Sequence, residues 1–285
     1  MTSVTRPALR YHGAKFRLAR WTMRFFPAHT HYTEAFGGAA GVLLQKPRSY
    51  SEVYNDLDGD IVNFFRVMRD PSTRGALIDA CALTPYARAE FDLAWEPTED
   101  PVERARRTAV RASMGFGSAS ATKGSSGFRI DTRRKYGTAS HVWGRYPEGL
   151  AQVGERFEGV IIENRPATTV LIQHDAPDTL HFVDPPYLPS TRDRHAAARY
   201  YRHEMSQLDH AELLGVIKRL DGMVVLCGYP SDLYDIELQG WERHETSARA
   251  SGRLGTVMRT EVVWLNPACS AALRWSQGSL IGEAA

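Results

Sequence analysis

The chain has 285 residues, of which 43% are hydrophobic and 10% aromatic, a composition that excludes a disordered protein and allows one large core or a core with a smaller lobe. Its three cysteines, Cys81, Cys227 and Cys269, have no paired spacing, which excludes a disulfide scaffold or a zinc pattern and is typical of a reducing cytosol. The net charge is only +2, and the sequence has neither an apolar leader nor a run of about 18 apolar residues, so we expect a cytoplasmic protein without a membrane segment.

The first predicted elements follow the order of a nucleotide-binding unit. A helix is expected over residues 16–26, and His31–Phe36 is typical of a short strand that ends in the glycine-rich turn Gly37–Gly41. An apolar helix is then predicted to begin at Val42–Leu44, and a second strand covers Ser51–Tyr54. This order of strand, turn, helix and strand predicts the first half of a βαβ unit.

Acidic side chains mark the ends of both strands of this unit. Glu34 lies at the end of the first strand, and Asp56 follows the second strand, ahead of a helix predicted through residues 61–68. Glycines let the backbone approach a cofactor closely, and an acid after the second strand can accept hydrogen bonds from ribose hydroxyls. The sequence therefore predicts a nucleotide-type cofactor site; the alternative is that the small residues serve helix packing alone.

Positive charge is concentrated in residues 102–145. The segment contains ten Lys or Arg residues and two acids, so it carries +8 while the remainder of the chain carries −6. Small polar residues at 118–127 predict a flexible loop inside an inserted lobe at 113–146. We expect the stretch 118–136 to be mobile when free and ordered by a bound polyanion; a solvated basic face is the alternative. The basic residues are Arg104, Arg106, Arg107, Arg111, Lys123, Arg129, Arg133, Arg134, Lys135 and Arg145.

A distinctive tetrapeptide follows when strands and helices resume. A strand is predicted at 159–164, a helix at 167–173 and a buried strand at Leu180–Val183, which ends in Asp184-Pro185-Pro186-Tyr187. The carboxylate of Asp184 can accept a hydrogen bond from an amino group, a carbonyl beside a proline can accept a second one, and Tyr187 offers a flat face for stacking. The tetrapeptide predicts a site that holds a planar base by its exocyclic amino group; the alternative is a strand that ends in a proline-rich turn.

The remaining elements are predicted from periodicity. Residues 190–206 are polar, basic and aromatic without a clear period. The sequence predicts helices at 86–93, 101–112 and 209–220, strands at 223–227, 241–246 and 260–265, and a Gly/Arg loop between the last two strands that contains Arg249, Arg253 and Arg259.

The motifs in chain order are Tyr11-His-Gly-Ala-Lys15, Glu34-Ala-Phe36-Gly-Gly38, Asn55-Asp56, Asp184-Pro-Pro-Tyr187 and Arg259-Thr-Glu-Val-Val-Trp-Leu-Asn266. This order resembles the Dam-type class of DNA adenine-N6 methyltransferases, particularly the compact forms often found in phages and prophages. The resemblance covers nearly the whole chain, except the inserted loop and the residues after Cys269.

The resemblance implies an α/β, Rossmann-like S-adenosylmethionine-dependent methyltransferase fold with an inserted, mainly helical target-recognition lobe. It implies a catalytic domain formed by residues 1–70 and 155–269, a DNA target-recognition lobe at 71–154 and a tail at 270–285. The implied cofactor is S-adenosylmethionine, the implied partner is duplex DNA, and no metal is required. Whether a separate restriction endonuclease accompanies the protein stays open.

Site residues are implied by the same resemblance. Tyr11 and Lys15 match the N-terminal region that helps cover the cofactor. Glu34, Phe36 and Gly38 match the glycine-rich cofactor motif, and Asp56 would hold the ribose. The amino-group motif is Asp184, Pro185, Pro186 and Tyr187. For DNA binding we expect Arg111, Lys123, Arg129, Arg133, Arg134 and Lys135.

Two positions depart from the family pattern. Ala40 stands where the cofactor motif usually has a second glycine, which puts one extra methyl group beside the cofactor. Many relatives also carry an Asp shortly after the strand that ends at Glu163-Asn164-Arg165, to hold the adenine of the cofactor, whereas this chain has Pro166 and Ala167. We therefore assign no side chain to that role.

The expected activity is methyl transfer to N6 of an adenine flipped out of duplex DNA. Three alternatives remain at this point: a cytosine-N4 enzyme, in which Ser is commoner at the first motif position; an RNA or protein amide methyltransferase, which often has Asn at the position of Asp184; and a non-catalytic DNA-binding protein on a decayed methyltransferase fold. The intact Asp184–Tyr187 motif argues against decay.

Overall fold

The described part of the chain contains one mixed β-sheet of seven strands, with helices on both faces. The computed structural model describes residues 4–117, 126–130, 137–192, 201–252 and 255–282. The strand order in the sheet is β3-β2-β1-β4-β5-β7-β6. The strands are β1 (His31–Glu34), β2 (Ser51–Asn55), β3 (Ile161–Glu163), β4 (Thr179–Val183), β5 (Met223–Gly228), β6 (Glu242–Gly252) and β7 (Gly255–Leu265).

A reversal in strand order determines where a ligand can bind. Strands β1 to β5 are parallel, and β7 runs antiparallel to both β5 and β6. The order reverses between β1 and β4, because β2 and β3 lie on one side of this pair and β5 lies on the other. Ligands of open α/β sheets bind in the crevice outside the carboxyl ends of the strands at such a reversal. Glu34 ends β1 and Asp184 follows β4, so both acids lie at this crevice.

Capping side chains fix the start of several helices. Asp58 accepts the amide of Asp60 at the start of α2, and Asp100 accepts the amides of Val102 and Glu103 at the start of α5. The α-helices of the described residues are α1 (Ala19–Thr22), α2 (Gly59–Arg69), α3 (Pro71–Leu83), α4 (Arg88–Leu93), α5 (Pro101–Met114), α6 (Ala139–Gly144), α7 (Leu150–Phe157), α8 (Ala167–Gln173), α9 (Gln207–Ile217), α10 (Asp232–Glu237) and α11 (Pro267–Gly282). Among the described residues, no helix is long and apolar enough to cross a membrane.

Two apolar cores cover the two faces of the sheet. In β5, Val225 and Cys227 belong to the larger core, whereas Val224 and Leu226 belong to the smaller one. This alternation follows from the period of two in a strand, and it explains why β5 is a continuous apolar run.

The helices of the predicted lobe pack into the larger core. Phe91 of α4, Ala109 of α5, Trp143 of α6 and Val153 of α7 belong to the same buried cluster as Tyr54 of β2. The described part of the predicted 71–154 lobe is therefore mainly helical and shares its apolar core with the sheet. Helix α11 runs across the predicted boundary between residues 269 and 270. The division into two domains stays a prediction.

The sequence prediction was wrong for the helix after the glycine-rich turn. Residues 38–45 form successive turns, with hydrogen bonds from the Ala40 amide to the Gly37 carbonyl and from the Leu44 amide to the Ala40 carbonyl. Gly38 and Ala40 adopt positive φ angles of 48° and 54°, so neither can belong to a right-handed helix, and Pro47 limits any helix after them to the short stretch 41–46.

Other elements differ in length or were missed. The predicted helix over 16–26 is divided into α1 and the 3₁₀ turns Lys15–Arg17 and Met23–Phe25, and no side chain caps any of the three. Helix α3 was missed although Asp70 caps it and Pro71 begins it, a recognisable start signal. Helix α10 was also missed.

The prediction of a Gly/Arg loop near the C-terminus was also wrong in extent. Strands β6 and β7 continue as a long antiparallel ribbon up to the pair Gly252 and Gly255, so Arg249 and Arg259 lie in strands. Arg253 lies outside the described residues. Polar residues are compatible with strands here because a ribbon that extends beyond the sheet has no core to face. The predicted strands at β1, β2, β4 and β5 and the helix at 167–173 are confirmed.

Candidate active site

A cavity of about 580 Å³ opens at the crevice between β1 and β4. Its size lies within the range of small-molecule and cofactor sites. All six residues predicted to bind the cofactor line it, as do two of the four residues of the tetrapeptide. These lining residues are Tyr11, Lys15, Glu34, Phe36, Gly38, Asp56, Asp184 and Pro186.

The glycine-rich turn is shaped by the tyrosines around it. A Cβ atom at Gly37 would lie 2.1 Å from the Tyr54 ring, so only glycine fits there. The Tyr54 hydroxyl donates to the Gly38 carbonyl at 2.6 Å, and the Tyr11 ring covers Gly38 from the other side. Ala40, the departure from the family pattern, is fully buried with a φ of 54°, a left-handed conformation that costs an alanine about 1–2 kcal/mol.

Glu34 holds this turn against the end of β1. Its Oε2 atom accepts hydrogen bonds from the Tyr32 hydroxyl at 2.8 Å and from the Leu43 amide at 2.9 Å. Burial raises the pKa of the Glu34 carboxyl to about 8. The carboxyl is therefore mostly protonated at neutral pH, and its main visible role is to fasten the turn that forms the cavity wall.

Asp56 has the position that a ribose-binding acid requires. Its two oxygens accept the amides of Gly38 and Asp58, each at 2.8 Å, and the side chain lines the cavity. Each carboxylate oxygen has a second lone pair, so the group can still accept a ligand hydroxyl. Burial raises the pKa of Asp56 to about 6, which leaves it largely ionised above that pH.

Asn55, beside Asp56, ties three strand ends together. Its side-chain amide donates to the carbonyls of Ala35 and Arg165, and its Oδ1 accepts the Arg165 amide at 3.0 Å. These hydrogen bonds join the strand ends at the floor of the crevice. Pro166 and Ala167, which replace the acid of many relatives, also line the cavity.

Lys15 and Asp184 form a buried ion pair at the catalytic end of the cavity. The Lys15 Nζ atom lies 2.9 Å from Asp184 Oδ1, and the side chains are 6% and 14% exposed. Burial alone would lower the pKa of Lys15, but the carboxylates of Asp184 and Glu261 outweigh it and raise the pKa. Lys15 is thus an ammonium ion that contacts the predicted catalytic carboxylate, a contact that the sequence did not predict.

The other tetrapeptide residues take different positions. Pro186 lines the cavity, whereas Pro185 is buried in the described structure. The Tyr187 hydroxyl donates to Glu261 Oε2 at 2.5 Å, and its ring lies against Tyr229 with the centroids 4.4 Å apart. The Lys15 ammonium lies 4.6 Å from the centre of the Tyr187 ring. Tyr187 adjoins the ion pair but is not part of the cavity lining, so its predicted stacking on a base stays a prediction.

Sequence reasoning missed the residues that cover the cavity. Residues 201–205 line it, and the Tyr201 ring packs edge-on against His12 with the centroids 5.4 Å apart. Arg202 donates to Asp58 at 2.9 Å and to Asp60 at 3.0 Å, which attaches this segment to the start of α2. The interleaved Arg and Tyr residues of 190–206 were the available signal, but no motif gave them a role.

The basic residues of α5 bind acids inside the protein. Arg111, predicted to bind DNA, is 7% exposed; its guanidinium donates to Asp60 Oδ2 at 2.8 Å and to the Ala94 carbonyl at 2.7 Å. Arg106 and Arg107 likewise form ion pairs with Glu103. The internal partners and small exposed surface of the Arg111 guanidinium argue against the expected phosphate contact.

Of the remaining residues predicted to bind DNA, only Arg129 lies among the described residues. Arg129 is partly buried beside the end of α5, where its amide donates to the Met114 carbonyl at 2.7 Å. The predicted residues Lys123, Arg133, Arg134 and Lys135 lie outside the described residues, as does most of the 118–136 stretch that we expect DNA to order.

No group of three or more His, Cys, Asp or Glu side chains that could hold a metal ion occurs within the described part of the chain.

Comparison with known proteins agrees with this geometry. No curated protein matched the chain. The family model of the D12 class N6 adenine-specific DNA methyltransferases matches residues 11–227, more than half of the chain and the span from Tyr11 through the tetrapeptide to the end of β5. Among the alternatives that the sequence left open, this match selects adenine N6 in DNA over cytosine N4, RNA or protein. The chain therefore belongs to the D12 class N6 adenine-specific DNA methyltransferase family and is an enzyme that methylates adenine in DNA.

Proposed function

We propose that the chain transfers a methyl group from S-adenosylmethionine to N6 of an adenine that is flipped out of duplex DNA, and that Asp184 holds the reacting amino group. The observation that carries this proposal is the position of Asp184, which follows β4 and lines the same cavity as Glu34 and Asp56. A group that can hold an amino nitrogen thus faces the residues expected to hold a cofactor.

The cavity suits S-adenosylmethionine in size and in donor set. Its volume of about 580 Å³ accommodates a nucleoside with an amino-acid chain. When bound, S-adenosylmethionine supplies an electrophilic methyl group on a positively charged sulfur. Asp56 would accept hydrogen bonds from the ribose hydroxyls with the lone pairs that the Gly38 and Asp58 amides leave free. Tyr11 and Phe36 would form the walls, and Gly38 would allow close approach of the backbone.

Asp184 and the Pro185 carbonyl would act on the amino group itself. The adenine amino group is a poor nucleophile because its lone pair is delocalised into the ring. Two hydrogen bonds, one to the Asp184 carboxylate and one to the Pro185 carbonyl, would draw the nitrogen toward sp³ geometry and direct its lone pair at the methyl group. Alignment of two reactants can lower a barrier by about 7–11 kcal/mol. A shift of Lys15 away from Asp184 would make that carboxylate a stronger acceptor.

Access of the adenine requires base flipping, because a stacked base cannot enter the cavity. Flipping costs a few kcal/mol, which phosphate contacts and stacking in the complex must offset. Tyr187 would provide a stacking surface, and Lys123, Arg129, Arg133, Arg134 and Lys135 would bind phosphates as part of the 71–154 recognition lobe. Arg111 is left out of this set because it is buried and ion-paired.

Nucleoside mass spectrometry tests the proposal. Duplex DNA of varied sequence would be incubated with the protein and methyl-labelled S-adenosylmethionine, then digested to nucleosides. We expect labelled N6-methyladenine and no labelled N4-methylcytosine. Labelled N4-methylcytosine alone, or label on RNA or protein instead of DNA, would contradict the proposal.

A further inference from the structure

Glu261 is a buried acid beside the tetrapeptide that the activity described so far does not use. It is 8% exposed and accepts the Tyr187 hydroxyl at 2.5 Å, and its Oε2 atom lies 3.8 Å from Lys15 Nζ. Glu261 lies outside the residues 11–227 that match the family. A buried carboxylate is costly unless it is paired, so its presence needs a reason.

The reversed strand β7 brings Glu261 to the catalytic edge of the sheet. Because β7 is antiparallel to β5, only its last four residues pair with β5, and Val262 lies opposite Gly228 at the carboxyl end of β5. Glu261 shares a sheet face with Val263 and Leu265, and these belong to the larger core, which also contains Leu9 of the N-terminal segment. The antiparallel strand β7 therefore places the Glu261 side chain at the edge of the sheet where the parallel strands end.

Lys15 is shared between two carboxylates. Its ammonium lies 2.9 Å from Asp184 and 3.8 Å from Glu261. The ammonium on Asp184 Oδ1 competes with the adenine amino group for the negative charge of this carboxylate, so a shift of Lys15 away from it makes Asp184 a stronger acceptor. An ammonium that leaves its only buried partner becomes an unpaired charge in the interior, which is strongly unfavourable. A second carboxylate within reach removes that obstacle, since the ammonium needs only a small displacement to pair with Glu261.

We infer that Glu261 is a positioning residue for methyl transfer: it fixes the Tyr187 ring through the hydroxyl and takes over Lys15 when the adenine amino group engages Asp184. The inference rests on the proposed function of Asp184. Glu261 does not touch the adenine; it acts through Lys15 and Tyr187.

Two isosteric variants separate the charge of Glu261 from its hydrogen bond. Glu261→Gln keeps an acceptor for the Tyr187 hydroxyl but removes the negative charge, whereas Tyr187→Phe removes the hydrogen bond and keeps the charge. Glu245→Gln is a matched control, because Glu245 is exposed on β6 and pairs with Val262, the neighbour of Glu261. Single-turnover rates at saturating DNA and cofactor would be measured across pH, with calorimetry of S-adenosylmethionine binding and thermal unfolding as tests that each variant is folded.

We expect Glu261→Gln to slow methyl transfer by about tenfold or more, the effect of losing one partner in a buried charge network. Tyr187→Phe should slow it less, and the double variant should be within about twofold of Glu261→Gln, because contacting residues act non-additively. Loss of a neighbouring negative charge makes Asp184 easier to ionise, so the acidic limb of the pH–rate profile should move to lower pH. A purely structural role would leave that limb in place. Cofactor affinity and the Glu245→Gln rates should match wild type.

Three results would overturn the inference: a Glu261→Gln rate within about twofold of wild type, an unshifted acidic limb, or equal effects of the two single variants that multiply in the double variant. If wild type methylates adenine while one of these results holds, only the role of Glu261 fails. If Asp184→Ala retains wild-type turnover, the proposed function of Asp184 fails and this inference fails with it.

Discussion

The crevice and helix α5 are the two regions that the sequence indicated as functional, and they differ in whether their charged side chains remain available to a ligand. At the crevice, Asp56 and Asp184 are half-buried and face a cavity, and each keeps acceptor capacity for a ligand. On α5, Arg106 and Arg111 are more deeply buried, and Glu90, Glu103 and Asp60 neutralise them inside the protein. A charged residue therefore indicates a ligand only if the fold leaves it room to meet one.

The comparison explains why acids at strand ends were a better guide to the cavity than a count of basic residues was to a DNA-binding surface. The +8 of residues 102–145 was counted within the segment, whereas Asp60 and Glu90 lie outside it in sequence and beside it in space. The acids at the strand ends were interpreted from topology instead, and parallel strands bring their carboxyl ends to one edge whatever else the fold does.

Removal of the Asp184 carboxylate should have the largest effect. Asp184→Ala is expected to lower the single-turnover rate by about 10²–10³-fold, since an acceptor aimed at the reacting nitrogen is lost. Binding of S-adenosylmethionine, measured by calorimetry, should change little, because Asp56 and the glycine-rich turn remain. Turnover above a tenth of wild type would show that Asp184 does not hold the amino group.

Replacement of basic residues should distinguish those that bind DNA phosphates from those that pair with acids inside the protein. Replacement of Arg133, Arg134 and Lys135 together by Ala should reduce the slope of log K for duplex DNA against log salt concentration. The magnitude of the slope should fall by up to about three, because each phosphate contact contributes about 0.9. Arg107→Gln, which removes a cation from the same segment, should leave the slope unchanged because Arg107 is paired with Glu103. Fluorescence anisotropy at several salt concentrations would measure both, and equal slopes for the two variants would contradict the comparison.

Asp56 should affect the cofactor without affecting DNA. Asp56→Ala is expected to weaken S-adenosylmethionine binding by about 10–100-fold, because a hydrogen bond to a charged group contributes roughly 1.5–3 kcal/mol. Burial raises the pKa of Asp56 to about 6, so wild-type affinity should also fall as the pH drops below that value, whereas the variant should show no such fall. Calorimetry from pH 5 to pH 8 tests both statements, and unchanged cofactor affinity in Asp56→Ala would refute the assignment.

Glu34 should reveal its structural role through the pH dependence of stability. Its folded pKa, raised by burial to about 8, lies above the unfolded value of 4.5, so the folded state holds a proton that the unfolded state releases. Its contribution to stability is complete below pH 4.5 and is lost as the pH rises to about 8.

Glu34→Gln mimics the protonated acid and should remove this loss. Relative to the variant, wild type should become less stable by about 1.4 kcal/mol per pH unit across that window, and the difference should level off above it. Urea unfolding at a series of pH values measures the difference. Parallel curves for the two proteins would mean that Glu34 is already ionised in the fold.

The sequence predicted most of the sheet because strand periodicity depends on local order. The family resemblance named six residues that line the cavity, and the positions of Glu34 and Asp56 at strand ends indicated two of them independently. The sequence could not predict the partners of Lys15, since Asp184 and Glu261 are far from it along the chain and meet it only when β4 and β7 join the sheet. The helix expected at Val42 was wrong because the turn around Gly37 and Gly38, which Tyr54 and Tyr11 contact, continues to a positive φ angle at Ala40. Only a short stretch then remains before Pro47.

The most direct test of the account is a crystal structure of the protein with duplex DNA and S-adenosylhomocysteine, the demethylated product of the cofactor. The account predicts a flipped adenine whose N6 lies within about 2.7–3.2 Å of both the Asp184 carboxylate and the Pro185 carbonyl, with Lys15 moved toward Glu261. An adenine amino group held by other residues, with the Lys15–Asp184 pair intact at 2.9 Å, would contradict it.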